Sequence, residues 1–361
     1  MIAVDLLVLD KDFQMLGYLR YINLQWNRKY YEPGDFSVQV LVEDYYTDGR
    51  YLYTAERPEM GIIEKMHTDT DITGHYVQLS GRFLESMLSW NYISDEFSGS
   101  YRPLEAVSEI ISDYHGDIPN FEIASGIDDG SGEAVQMEYF GKEVGETTAA
   151  ILKAIEKAQR ITYDFDRNKL VYSVWQGLDR TQEQSINNYA FFSDVALNVQ
   201  KISVDEDDSG WANACLVCYH DVTKRDGSWE KDESAILKIE VDGRTEAGEP
   251  RRYKLLDMTG SSPSSEQSKN AWLAELRQKG VEELAKWQKV NNVQADTLQN
   301  GLFYLEDYDL GDKCDIVSNE IRRSYMSRII EVHEVFKEGQ HLIELVFGEK
   351  IPTLFERVKN R

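Results

Sequence analysis

Residues 26–40, WNRKYYEPGDFSVQV, with residues 60–69, MGIIEKMHTD, and residues 75–90, HYVQLSGRFLESMLSW, decide how this chain folds. Phe36, Val38 and Val40 alternate with Ser37, Gln39 and Leu41, a mostly period-two pattern that gives a strand one buried face. Pro33-Gly34 supplies the turn before it. Ile62 and Ile63 open a second strand, residues 70–74 read as a turn, and residues 76–79 return antiparallel, which makes a hairpin. Gly81 ends that hairpin, and Phe83, Leu84, Met87 and Leu88 follow at helical spacing. The stretch is typical of a compact β-barrel module rather than of a catalytic cleft.

A second copy of the hairpin stands near the other end. Ile62-Ile63-Glu64 reaches Gly81 in 17 steps (81 − 64), and Ile329-Ile330-Glu331 reaches Gly348 in 17 steps (348 − 331). Each has a Gly-bearing turn and an alternating apolar strand in between. Duplication of a barrel is one explanation and coincidence of a short pattern is the other.

Outward from these hairpins, the chain reads as mainly β with α+β: two related antiparallel β-barrel domains, an intervening small α+β domain and a helical insertion in the second barrel. Residues 1–95 form the first barrel, beginning with the alternation of Val4, Leu6 and Val8 against Asp5 and Leu7. The opening residues carry Asp5 and no basic region, so they read as this strand rather than as a signal peptide. Residues 45–57 form a protruding loop whose Tyr45 and Tyr46 suit a contact between chains, or packing within one.

Residues 96–190 make the α+β domain. Leu104, Val107, Ile110, Ile111 and Tyr114 mark one face of a helix begun by Pro103. Residues 118–141 read as a polar loop, and a second helix spans about 146–160 with Ile151, Ile155 and Ala158 on its core side. ITYDFD and KLVYSVW then pair around residues 166–168. The second barrel takes residues 191–262 and 300–361, interrupted by the insertion at 263–299. Residues 261–265 provide capping side chains for a helix over about 265–291, on which Trp272, Leu273, Leu276, Val281, Leu284 and Trp287 recur at threes and fours. Trp272, Leu276 and Trp287 are candidates for packing between chains, with burial against their own barrel as the other reading. Residues 351–361 form a basic end on an acidic protein.

That acidity is pronounced. With 39 Lys and Arg against 64 Asp and Glu, the formal net charge is −25, which repels phosphate backbones and argues against stable nucleic-acid binding. If some of the charge lined a channel, DNA would pass without adhering; plain solubility explains it as well. No apolar run approaches the roughly 18 residues that span a bilayer, so no membrane insertion is expected. Catalytic signatures are missing too: there is no G-x-S-x-G elbow, phosphate-binding loop or H-E-x-x-H, and the six histidines are scattered. Cys215 and Cys218 form a C-x-x-C inside a strand with no second pair at zinc spacing, so no metal site, catalytic residue or cofactor is assigned.

Taken in order, residues 26–36, GIIEKM, VQLSGRFLESML, GLDRT at 177–181, NACLV at 213–217, YLEDYDLGDKCDIV at 304–317 and FGE at 347–349 resemble siphophage and prophage tail proteins of the baseplate-hub family. The resemblance covers almost the whole chain. It implies a homotrimeric ring in which each chain gives two barrels, so that a pseudo-sixfold collar joins a sixfold tail tube to a threefold tip. It also implies partners in the tail-tube and tape-measure proteins, passage for DNA or tape-measure protein, synthesis in the bacterial cytoplasm and residence in the virion tail tip. The rival reading is a module binding carbohydrate or host cell wall through exposed tryptophan and tyrosine rings.

Overall fold

The computed structural model describes residues 4–71, 74–287, 290–320, 322–337 and 339–348; the basic end expected at 351–361 lies outside the described residues. The chain divides into two compact units, Met1–Ser203 with Val293–Gly348, and Val204–Asn292.

The larger unit begins with seven strands: β1 (Leu6–Leu9), β2 (Met15–Leu19), β3 (Asn23–Lys29), β4 (Asp35–Leu41), β5 (Tyr51–Tyr53), β6 (Met60–Asp71) and β7 (Gly74–Phe83). As the alternation demands, Phe36, Val38 and Val40 are fully buried, and Trp26 and Phe83 pack with them. The β6–β7 ladder continues through Gly81 to Phe83 rather than ending at the glycine. Gly81 is needed for another reason: a Cβ there would stand 1.7 Å from the Ile62 carbonyl oxygen. Gly81→Ala is therefore expected to cost about 3 kcal/mol, read as a lower urea midpoint, because backbone on both strands must shift.

A 3₁₀ helix over Leu84–Trp90 leads to β8 (Phe97–Tyr101), α1 (Pro103–Tyr114), β9 (Phe121–Ile123), β10 (Val135–Tyr139), α2 (Val144–Ala154), β11 (Ala158–Asp164) and β12 (Lys169–Trp175). Two strands, β9 and β10, occupy what reads in the sequence as loop; β10 pairs with β8, and β9 lies parallel to β12. The helix expected to reach residue 160 stops at Ala154, because Glu156 takes a left-handed φ of 55° and Ala158 already begins a strand. Nor does a separate core begin at residue 96. Tyr51, Met60 and Ile62 of the first strands share one apolar cluster with Val107, Ile110, Leu152 and Tyr172.

The remaining strands are β13 (Phe191–Ser193), β14 (Val199–Asp207), β15 (Ala214–Arg225), β16 (Ser228–Asp242), β17 (Tyr253–Asp257), β18 (Val290–Thr297), β19 (Lys313–Ser318), β20 (Arg323–Lys337) and β21 (Gln340–Gly348), with α3 at Lys269–Ala285. The strands expected in the second barrel at 213–257 pair instead among themselves, as β16-β15-β17. Together with α3 they form the smaller unit, so the excursion is a sheet and a helix over 204–292 rather than a helix alone at 263–299. Its core joins Cys215, Val217 and Val241 to Trp272, Leu276 and Leu284. Ser268, not the serines at 261–265, caps α3, accepting from the Ala271 N–H at 3.2 Å.

Apart from the small sheets β10-β8 and β11-β12-β9, the other strands join one sheet in the order β14-β18-β21-β20-β3-β4-β7-β6-β5-β1-β2, with β19 also on β20 and β13 on β19. The fold is mainly β, yet the described pairings do not close the two barrels that the sequence suggests. β2 and β14 are the ends of the ladder, and the β3–β20 pairing merges both sets of strands. The two hairpins do correspond, with a one-residue correction. In β6 the extra, bulged residue is Glu64, between Ile63↔Gly81 and Lys65↔Ser80; in β20 it is Ile330, between Ile329↔Phe347 and Glu331↔Val346. Each bulge lies seven residues before the last pair of its hairpin, Asp71↔Gly74 (71 − 64) and Lys337↔Gln340 (337 − 330). Ile329 thus answers to Ile63, not Ile62.

Candidate functional site: the junction of β3 and β20

Seven consecutive pairs, from Glu331↔Lys29 to Lys337↔Asn23, knit β20 to β3 antiparallel. On the inward side of β3 stand Leu24, Trp26 and Arg28; on that of β20, Val332, Glu334 and Phe336. In each series one apolar position is taken by a charge, and both Arg28 and Glu334 are 0% exposed. Such groups persist only if paired. Arg28 donates to Glu59 at 2.9 Å, to the Tyr304 hydroxyl at 2.6 Å and to Asp309 at 2.5 Å. Glu334 accepts a two-pronged pair from Arg57, with Nε at 2.8 Å, and His341 Nε2 lies 2.9 Å from its other oxygen.

The charges settle accordingly. Burial works against the charged form of Arg28, but Glu59, Tyr304 and Asp309 more than offset it and hold the guanidinium well above its usual range. Burial also opposes ionisation of Glu334, yet Arg57 and His341 bring its pKa below the ordinary carboxylate value. Glu85, beside this network in the 3₁₀ helix, has no such partner; burial pushes it up to about 8, and its Oε2 carries no hydrogen bond. It is protonated at neutral pH.

A second buried clasp joins GLDRT to YLEDYDLGDKCDIV. Asp312 accepts from the Leu178 N–H at 2.7 Å and from Arg180 Nε at 2.5 Å, and Lys313 exchanges backbone bonds with Leu178 and Arg180. Gly177 is required because a Cβ would stand 2.0 Å from the backbone of Gly311. Asp179 caps its own turn at Thr181, and Arg180 is committed to Asp312. Asp312→Ala strands a partly buried guanidinium and an amide, and should cost about 2 kcal/mol in denaturant titration.

None of the residues singled out as contacts between chains lies in either clasp. Trp272 is 1% exposed and Leu276 0%, both in the core of the smaller unit, so they are not available to a neighbouring chain. Trp287 packs partly buried against that core, donating to Glu283 at 2.9 Å, with the Lys254 ammonium 3.3 Å from its ring centroid. Tyr45 and Tyr46 pack partly buried against the core of the first strands, where the Tyr46 hydroxyl donates to the Tyr18 carbonyl at 3.2 Å. Cys215 and Cys218 are buried free thiols in β15. Conversely, sequence reading missed Arg28, Arg57, Glu59 and Glu334. For Arg28 and Glu334 the available signal is a charge at the inward position of an otherwise apolar period-two series; Arg57 and Glu59 lie in the turn before β6 and carry no such mark.

Residues 5–349, a span containing both clasps and both hairpins, match the family model described as Siphovirus ReqiPepy6 Gp37-like protein. The chain belongs to this family of phage tail proteins. Solved structures agree in fold with this tail-protein chain. A tail protein from Neisseria meningitidis MC58 is 12% identical, with 96% of each chain covered and a TM-score of 0.58. The 43 kDa tail protein of prophage MuSo2 from Shewanella oneidensis is 11% identical over 95% of this chain and 98% of its own, with a TM-score of 0.57. Prophage tail protein gp18 from Listeria monocytogenes EGD-e is 13% identical over 98% of both, with a TM-score of 0.54. No curated protein matches the sequence. Among the described residues no helix is long and apolar enough to cross a membrane.

Proposed function

We propose that this tail protein is the hub of the tail tip, a structural part that forms a homotrimeric ring between the tail tube and the tip and lets DNA or tape-measure protein pass. The observation that carries the reading is a repeated strand order. β3-β4-β7-β6-β5 in the first part of the sheet is answered by β14-β18-β21-β20-β19 in the second, strand for strand in chain order; β1 and β13 hold the next place in each half, but β1 runs antiparallel to β5 and β13 parallel to β19. Five strands and a shared bulge in the same arrangement are not explained by a chance pattern.

Each half stands for one barrel, the first over residues 1–95, the second from β13, β14 and β18 to β21. Two similar sheets per chain give six around a ring of three, which is what a sixfold tube needs to seat on a threefold tip. The role is mechanical, with no catalytic step. Its partners are further copies of the chain, the tail-tube protein and the tape-measure protein. The net charge of −25 suits a wall past which DNA must slide. Tyr45, Tyr46 and Trp287, partly exposed, serve as secondary contacts between chains.

Antibody labelling of purified tails tests this directly. Label at the distal end of the tube, and tails lacking a tip when the chain is deleted, are the expected results. Label along the fibres, with tips still formed in the deletion, would point to the carbohydrate- or wall-binding alternative.

A further inference from the structure

The repeat leaves two edges without partners. In the correspondence above, β20 answers to β6 and β3 to β14. Within the chain, the second-half strand β20 pairs through residues 331–337 with the first-half strand β3. The reciprocal pairing, first-half β6 with second-half β14, does not occur among the described residues. Beyond Ile62, where β5 ends, β6 has β7 as its one partner strand among the described residues. β14 likewise has only β18 and terminates the ladder.

Exposure follows the same asymmetry. In β20, covered by β3, Val332 and Glu334 are 0% exposed. In β6 the positions that answer to Glu331, Val332, His333 and Glu334 are Lys65, Met66, His67 and Thr68, by the one-residue-corrected match of the two bulges. All four are exposed, Met66 by 53%, and Gln200 and Lys201 of β14 are exposed as well. An exposed methionine on a strand with an open hydrogen-bonding edge invites another strand.

We infer that the β6 edge, from Lys65 to Asp71, pairs antiparallel with the β14 edge, about Val199–Ser203, of a second copy of this chain, repeating between chains the junction that β20 and β3 make within one. The inference rests on the hub reading and deepens it. β6 and β14 are different surfaces of one polypeptide, so the contact is head-to-tail and generates a ring rather than a closed pair. With the internal junction alternating with the external one, three copies contribute three of each.

The test uses tails that carry the full-length chain. Thr68→Cys is combined in turn with Lys201→Cys, Ile202→Cys and Ser203→Cys, three consecutive positions that span the uncertainty of one residue in register; the native cysteines are buried. The expected result is a thiol-reversible ladder on gels that ends at three chains, in at least one combination and in none of the single variants. As a second measurement on the unaltered protein, amide hydrogen exchange across residues 64–71 and 199–203 should slow at least tenfold in assembled tails relative to the free chain. Tails with the chain at the tip, but with no ladder and no slowing at either edge, overturn the strand pairing and leave the hub reading standing. A chain missing from the tip overturns both.

Discussion

Glu85→Gln should make the folded chain more stable at pH 9 by on the order of 5 kcal/mol, and leave it almost unchanged at pH 4. The wild-type carboxyl is buried and its pKa rises from 4.5 to about 8; each unit is worth about 1.4 kcal/mol. Because the folded value lies above the unfolded one, the folded state holds a proton between about pH 4.5 and 8 that the unfolded chain has released. Wild-type stability therefore falls as pH rises through that window, and the full penalty is felt above it. Glutamine keeps the shape and cannot ionise, so its profile lacks that fall. Urea titrations of both proteins at pH 4, 6, 8 and 9 decide the matter, and parallel profiles would mean that Glu85 is solvated.

Glu334 behaves in the opposite sense. Its folded pKa is lowered, since Arg57 and His341 outweigh the burial that opposes its charge. Its contribution is complete above the unfolded carboxylate pKa and disappears as acid takes the pH through the folded value. Glu334→Ala leaves the guanidinium of Arg57, a residue only 6% exposed, without its two-pronged partner. A loss of about 3–5 kcal/mol is expected at neutral pH. Arg57→Met with Glu334→Leu should recover most of it, since two apolar side chains of similar size leave no stranded charge. If the double variant is as unstable as the sum of the single ones, the two side chains are not coupled and the junction is held by its backbone ladder alone.

Period-two alternation makes β4, β7, β12 and β21 legible, because in each one face is buried and a slip of one residue would invert it. The same rule located the second hairpin but misaligned it. Both hairpins carry their bulge at the same place, but Ile-Ile-Glu and the following glycine recur one residue out of step with it, so sequence alone aligns Ile329 with Ile62 rather than with Ile63. β9 and β10 were unreadable for a different reason. Residues 135–139 are half-exposed and pair with a strand more than thirty positions earlier, so neither periodicity nor a nearby turn betrays them. Trp272 and Leu276 formed a clear stripe, but a stripe says that a face is buried and not by what. The clasp of Asp312 on residues 178–180 depends on a return of the chain after 134 positions, which no local rule supplies.

The whole excursion over 204–292 leaves from β14 and comes back into β18, and those two strands are neighbours in the ladder. Its entrance and exit are thus side by side, like the two ends of a plug-in cassette. A lineage could lengthen, shorten or exchange that cassette with no change in any other rung.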